Sequence, residues 1–407
     1  MVTTGKKRRN ACELNNMQKN MLAPKGCFYN LAKITTTVLN SRIRVLHVIK
    51  SLGRGGAEML LPETLKLHHQ DKFEFYYIYF LPWKDQMVPA IEQGGGKVFC
   101  FPSNNNIALL AKARALAKFI RDHRIQLIHA HLPWAGVVAR IAGKMTGVPV
   151  IYTEHNKQER YHFLTRFLNL STMNWCKEVI AVSADVEQSV KKHKRNLTVQ
   201  LRTILNGVNT KDFTPGIVSD VRETLGIPAG VPVIGTIAVF RFQKRLDVWM
   251  EVAKRILQKH PDVHFIMVGD GPLKNELLQK RKELSMDERI HMPGLKTDVK
   301  PFLAAMDIYM MSSIFEGLPI ALLEAMAMEC AVASTEAGGI KEVIRDHVDG
   351  LLCAVDDPLK LVDIVSNLLV DKDLVARFRV AARKRAIEAF SLDKMVSALE
   401  TEYLSAL

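Results

Sequence analysis

From residue 43 onward, short apolar runs alternate with longer stretches in which apolar residues recur at helical spacing. The runs predict strands at "IRVLHVI" (43–49), "EFYYIYF" (74–80), "QLIHA" (126–130), "PVIYT" (149–153) and "EVIAVS" (178–183). Amphipathic stretches such as 106–122 and 134–145 lie between them. The rhythm restarts with "VPVIGTIAV" (231–239), "VHFIMVG" (263–269), "DIYMMS" (307–312) and "CAVAST" (330–335). Continuously apolar strands separated by helices predict parallel sheets covered on both faces. So many strands exceed the usual size of one domain, so the expected architecture is α/β, with two Rossmann-like doubly wound domains facing across a cleft. The expected division is a first domain over 42–206 and a second over 207–390, with the seam in "NGVNTKDFTPG" (206–216). A last helix over 391–407, started at Ser391, is expected to pack back on the first domain. Ligands should sit in the cleft, at the carboxyl ends of both sheets.

Charge changes this picture only at the front of the chain. The formal charge is +14, and residues 1–45 hold nine basic residues against Glu13 alone. Residues 1–41 therefore read as a basic extension, either an unstructured tail or an arm that meets acidic lipid. No apolar core or cleavage pattern of a signal peptide follows "GKKRRN", and no window reaches the ~18–20 apolar residues of a membrane span. The six cysteines are scattered with no C-x-x-C pair, which suits reduced thiols in the cytoplasm. Basic residues at 112–124, and Lys157, Arg160 and Arg166 beside Tyr161, Phe163 and Phe167, suggest peripheral contact with anionic membrane on its inner face. Without interleaved aromatics in the tail or a recognition motif, no nucleic acid partner is expected.

Four stretches carry candidate chemistry. In "EGLPIALLEAMA" (316–327), Gly317 and Pro319 mark a turn into a helix, with Pro319 expected at its first position. Glu316 then precedes the helix, and Glu324 lies about one and a half turns inside it. The open helix start between them can bind an anion. On spacing alone the two glutamates read equally well as polar positions of a helix cap. In "AVFRFQKRLDV" (238–248), Arg241, Lys244 and Arg245 emerge where a parallel sheet presents its ligand face and could neutralise a diphosphate. "KSLGRGGAEM" (50–59) and "VGDGP" (268–272) are glycine-rich turns after strands; Gly55, Gly56, Gly269 and Gly271 would let backbone approach a ligand. In "IHAHLPWAG" (128–136), His129 and His131 share one face of a strand end, and His155 in "TEHN" ends a neighbouring strand. No third ligand stands at metal spacing, so no metal site is assigned.

In this order the motifs resemble the retaining glycosyltransferases of family 4, which have the two-domain GT-B fold and include bacterial polysaccharide, lipopolysaccharide and glycolipid enzymes of the cell envelope. The resemblance covers about residues 43–406. Its strongest part is the E-x7-E pattern of Glu316 and Glu324, supported by "GGIKEVI" (338–344), "GLLC" (350–353), "GRGGAE", "HAHLPWAG", "AVSADV" (181–186), "QKRLDV" and "VGDGPL". It implies a hexosyltransferase that moves a sugar from a UDP- or GDP-sugar to a hydroxyl of a glycan or lipid-linked saccharide, with retention of configuration. It implies that Glu316 lies by the donor sugar, Glu324 by the ribose, and Gly317 and Leu318 by the diphosphate. His131 would contact the sugar near the reaction centre, Lys244 would clamp the diphosphate, and Gly55 and Gly56 would flank the diphosphate and acceptor. The arginine usual about five residues before that lysine is replaced by Val239, and Arg241 is the substitute closest in sequence. The resemblance implies no metal or other cofactor, and no D-x-D stands in a suitable context.

Two other functions compete. A nicotinamide-dependent oxidoreductase would use the same alternation, but neither half shows G-x-G-x-x-G with an acidic residue ~20 positions on. A catalytically silent scaffold would keep the fold and bind no donor.

Overall fold

The structure, a computed structural model, describes residues 42–407. The basic extension 1–41 and its expected lipid contact lie outside the described residues. Ile43–Leu407 forms one compact unit built on two parallel sheets.

The first sheet contains β1 (Ile43–Val48), β2 (Phe73–Tyr79), β3 (Lys97–Cys100), β4 (Leu127–His131), β5 (Val150–Glu154), β6 (Glu178–Ala181) and β7 (Gln200–Thr203), in the order 3-2-1-4-5-6-7. The second contains β8 (Val233–Ile237), β9 (His264–Val268), β10 (Ile290–Gly294), β11 (Ile308–Met311), β12 (Ala331–Thr335) and β13 (Leu351–Cys353), in the order 10-9-8-11-12-13. Each order reverses beside its first strand, so each sheet opens a crevice there, between β1 and β4 and between β8 and β11. Nine strands match the apolar runs. The other four, β3, β7, β10 and β13, are the sheet edges; β3, β7 and β10 mix polar and partly exposed residues, and β13 is apolar but only three residues long.

Both faces of each sheet are covered. On the first sheet, Leu46, Val48 and Ile78 pack against Leu116 and Val138 of the helices Ala113–Asp122 and Pro133–Thr146. On its other face, Val45, Phe75 and Tyr77 meet Leu61 of the helix Gly56–Leu67 and Leu399 and Tyr403 of the last helix, Leu392–Ala406. The chain leaves the first sheet and returns to it side by side: Val208 N–H donates to Phe390 O (2.8 Å), and Leu392 N–H donates to Val208 O (2.9 Å). Ser391 precedes the last helix, but its side chain makes no capping bond.

The two halves also touch directly. The Glu342 carboxylate accepts from the backbone N–H groups of Ala184 and Asp185 (2.8 Å each) and so caps the helix Ala184–His193. Asn206 Nδ2 donates to Leu318 O (3.1 Å), and Arg54 Nη2 to Thr297 Oγ1 (2.8 Å). Among the described residues, no helix is long and apolar enough to cross a membrane.

Candidate active site

The site is built from strand ends of both sheets, chiefly β1, β4 and β5 of the first and β8, β9 and β11 of the second. Beyond β11 the chain turns at Ser312, whose hydroxyl donates to Lys244 O and Arg245 O (3.0 and 2.9 Å), tying this loop to the one that follows β8. Ser313 Oγ and Lys244 Nζ both donate to Glu316 Oε1, each at 2.6 Å. The ion pair is mostly buried, with 19% and 10% of the two side chains exposed, so it is less screened than a surface pair.

The following helix runs Ile320–Ala327 and starts one residue later than its sequence suggests. Pro319 is the residue before it, with extended backbone (φ −75°, ψ 116°), and Glu324 therefore stands little more than one turn inside. Glu324 is buried, and burial pushes its carboxyl up to about 7; Glu63 raises it further and Lys300 opposes. No hydrogen bond is among those influences. Burial thus disfavours the charged form of this carboxyl.

At Gly317 the two halves meet closely. A Cβ there would fall inside contact distance of His155 O, so only glycine fits. Leu318 is buried and its carbonyl is taken by Asn206. Gly269 (φ 142°) and Gly271 lie against the backbone of Ala238 and Phe240, and so pack the loop that carries Arg241 and Lys244.

The three cations of that loop part company. Lys244 enters the site. Arg245 adopts a left-handed backbone (φ 46°) and donates to Val355 O (2.9 Å), away from Glu316. Arg241 is exposed, and its charge helps to hold down the carboxyl of Glu58 on the first half. Val239 puts no cation at its own position.

On the first half, the loop after β1 leads to Gly55 and Gly56 at the start of the helix Gly56–Leu67. Glu58 curls back beneath it: Ser51 Oγ donates to Glu58 Oε1 (3.0 Å), and the other carboxylate oxygen fills the space a Gly55 Cβ would need. Burial is the largest influence on Glu58 and raises its carboxyl. Gly56 faces Ile320 of the second half.

His131 ends β4 and is buried. Its Nε2 lies 3.0 Å from His47 Nδ1 and its Nδ1 3.3 Å from His155 Nε2. Leu132 next to it has a positive φ of 67°, a strained backbone of the kind that collects at functional sites. Burial drives all four imidazoles below their ordinary range, His129 to about 3, His155 to about 4, and His47 and His131 well down, so all are neutral at pH 7. Ring nitrogens of His47, His129 and His131 lie within 4.8 Å of one another, the third histidine that sequence spacing did not supply. Bonds already made fill the group: His129 holds Tyr403 OH and Thr153 Oγ1 at 2.7 Å each, and His47 and His131 hold each other. Only His47 Nε2 has no partner, so the triad does not present three free lone pairs to a cation.

Two site-wall residues escaped the sequence reading. Glu58 stood in a quoted motif without a role, and His47 sat in an apolar strand, where one histidine gives no spacing signal. The basic and aromatic surface at 157–167 also needs correction. Tyr161 turns inward to donate to Glu154 Oε1 (2.5 Å), and Arg160 stacks on the Phe315 ring at 3.5 Å, next to Glu316. Phe163 and Phe167 remain exposed, at 69% and 65%, beside exposed Leu164.

With this geometry in place, comparison with known proteins is specific. The family model described as Glycosyltransferase Family 4 matches residues 54–212, and the one described as Glycosyl transferases group 1 matches residues 231–371. The UDP-Gal:alpha-D-GlcNAc-diphosphoundecaprenol alpha-1,3-galactosyltransferase of Escherichia coli is 23% identical over 382 residues, 90% of this chain and 97% of that protein. The N-acetyl-alpha-D-glucosaminyl L-malate synthase of Bacillus anthracis is 28% identical over 310 residues, 73% of this chain and 79% of that protein. The crystal structure of Anabaena HepE in complex with UDP and glucose superposes with a TM-score of 0.80 at 23% identity, covering 90% of this chain and all of that one.

Proposed function

This chain belongs to the family 4 glycosyltransferases, and from that premise we propose that it moves a hexose from a UDP-sugar to a hydroxyl of a saccharide carried on a lipid diphosphate, with retention of anomeric configuration. The observation that carries this reading is the pair Lys244–Glu316 at the switch point of the second sheet, followed by a helix start and the buried carboxyl of Glu324.

In this reading the diphosphate draws the Lys244 cation from Glu316 and lies against the start of the helix Ile320–Ala327. Glu316, released, accepts from a hydroxyl of the sugar, and Glu324 accepts from the ribose. The bond between the anomeric carbon and the diphosphate oxygen breaks while the acceptor oxygen attacks from the same face. The acceptor proton passes to the departing oxygen. Lys244, with Arg241 entering from the cleft side, meets the charge that develops, as fixed cations do in a water-poor site. No metal is assigned a role, so excess chelator should leave the rate unchanged. His131 meets the sugar from the first half, and Gly55, Gly56 and His155 border the acceptor.

A lipid-linked acceptor places the first half at a membrane surface. Exposed Phe163, Leu164 and Phe167, with the outward cations Arg114, Lys118 and Arg121, suit docking on anionic lipid. Co-sedimentation with anionic vesicles, lost in high salt, is expected; its absence would remove the membrane contact.

The test is UDP release from a panel of UDP-hexoses with a lipid-diphosphate saccharide acceptor. One donor is expected to turn over, and Glu316→Gln and Lys244→Ala should each slow it by roughly 10²-fold, the scale of losing one transition-state contact. Full rates in both variants would contradict the assignment.

A further inference from the structure

The first sheet holds three imidazoles end to end, and the proposed reaction uses only the last two. His47 on β1 is in register with Tyr77 on β2 and His129 on β4, so all three point to one face. His131, two residues beyond His129, shares that face. His47 Nδ1 meets His131 Nε2 at 3.0 Å, and His131 Nδ1 meets His155 Nε2 at 3.3 Å. His129 stands outside this chain, held on both nitrogens by hydroxyls.

A neutral imidazole has one N–H and one lone pair, so the protons along such a chain must all run the same way. One direction leaves His47 Nε2 as a bare acceptor. The other leaves it as a buried N–H with no acceptor, because His47 Nε2 has no partner. An orphaned buried donor is the rarer and costlier outcome. We infer that His47 donates from Nδ1 and thereby fixes His131 as the Nδ1-protonated tautomer, with its N–H aimed toward His155 and the cleft.

His47 is then a positioning residue. It never touches substrate, but it makes His131 a hydrogen-bond donor on the side where the carbonyl of His155 meets Gly317. A sugar oxygen arriving there replaces His155 Nε2 as acceptor of the His131 N–H, and His131 acts as a donor and not as a base. This step rests on the placement of His131 at the donor sugar, given above.

The full chain with 15N-labelled histidine reads the tautomers directly through its ring-nitrogen shifts. The expected spectrum shows His47 and His131 protonated at Nδ1. His47→Asn keeps a donor near the Nδ1 position and should hold both the His131 tautomer and the transfer rate within about twofold of wild type. His47→Leu should mix the His131 tautomers and lower kcat roughly fivefold, the worth of one neutral hydrogen bond, with little change in donor KM. A wild-type His131 protonated at Nε2, or a His131 tautomer unmoved in His47→Leu, would overturn the inference. If His47→Leu fails to fold, the wild-type and His47→Asn spectra still decide. Should the tautomers stand as inferred while His131→Ala transfers at the wild-type rate, the placement of His131 at the sugar fails and the imidazole chain survives.

Discussion

Glu316 and Glu324 belong to one motif but differ in what surrounds them. Glu316 has its counter-charge in Lys244 at 2.6 Å, whereas Glu324 is buried with no hydrogen bond to its carboxyl among the influences on it. Its folded-state pKa is raised from 4.5 to about 7, so the native state holds a proton that the unfolded chain releases. The associated stability is complete at low pH, declines as pH rises above about 4.5, and is gone above about 7. Thermal unfolding without nucleotide should therefore show a fall in stability between about pH 5 and 8 that Glu324→Gln flattens, while the same variant weakens UDP binding. A slope unchanged by the substitution would show that Glu324 ionises freely. Spacing alone left Glu316 and Glu324 equal to a helix cap, and only the ordered set of motifs singled them out together with Lys244. His47 and Glu58 were not legible, because their meaning lies in partners that folding brings close: His131 is 84 positions from His47. Arg245 looked like Lys244 on paper, and only its left-handed backbone sends it elsewhere.

At the scale of elements, the interior strands were legible and the edges were not, for one reason. A strand buried on both faces is mostly apolar, as "FIMV" is in β9, while β7 reads "QLRT" because alternate residues face water. The helix Ile320–Ala327 shows the same limit at its boundary. Proline before a helix and proline at its first position give the same sequence signal, and the observed backbone at Pro319 is extended. What the sequence could not express is why Gly317 must be glycine: the backbone it meets, at His155, belongs to the other half of the chain. Gly317→Ala should cost about 1–3 kcal/mol by overpacking, lowering the melting temperature and the transfer rate together. A variant with wild-type melting and activity would mean that the halves do not approach at this point.

For the whole molecule, the last helix closes the chain on its beginning. Leu392, Met395, Val396, Leu399 and Tyr403 share one buried cluster with Val45, Phe75 and Tyr77. Burying such side chains contributes about 1.5–3 kcal/mol each, which together rivals the ~5–15 kcal/mol by which domains are stable. Deletion of residues 391–407 should abolish cooperative unfolding; a truncated chain that melts cooperatively and retains transfer would show the first half to be self-sufficient. The Glu342 cap on the helix Ala184–His193 and the stacking of Arg160 on Phe315 join the two halves within one compact unit. The central claim is that this cleft transfers a hexose with retention. The most direct measurement is proton NMR of the sugar product formed from an α-linked UDP-hexose, read before any free sugar mutarotates. The α-anomer is the predicted product, and a β-anomer formed first would contradict the account.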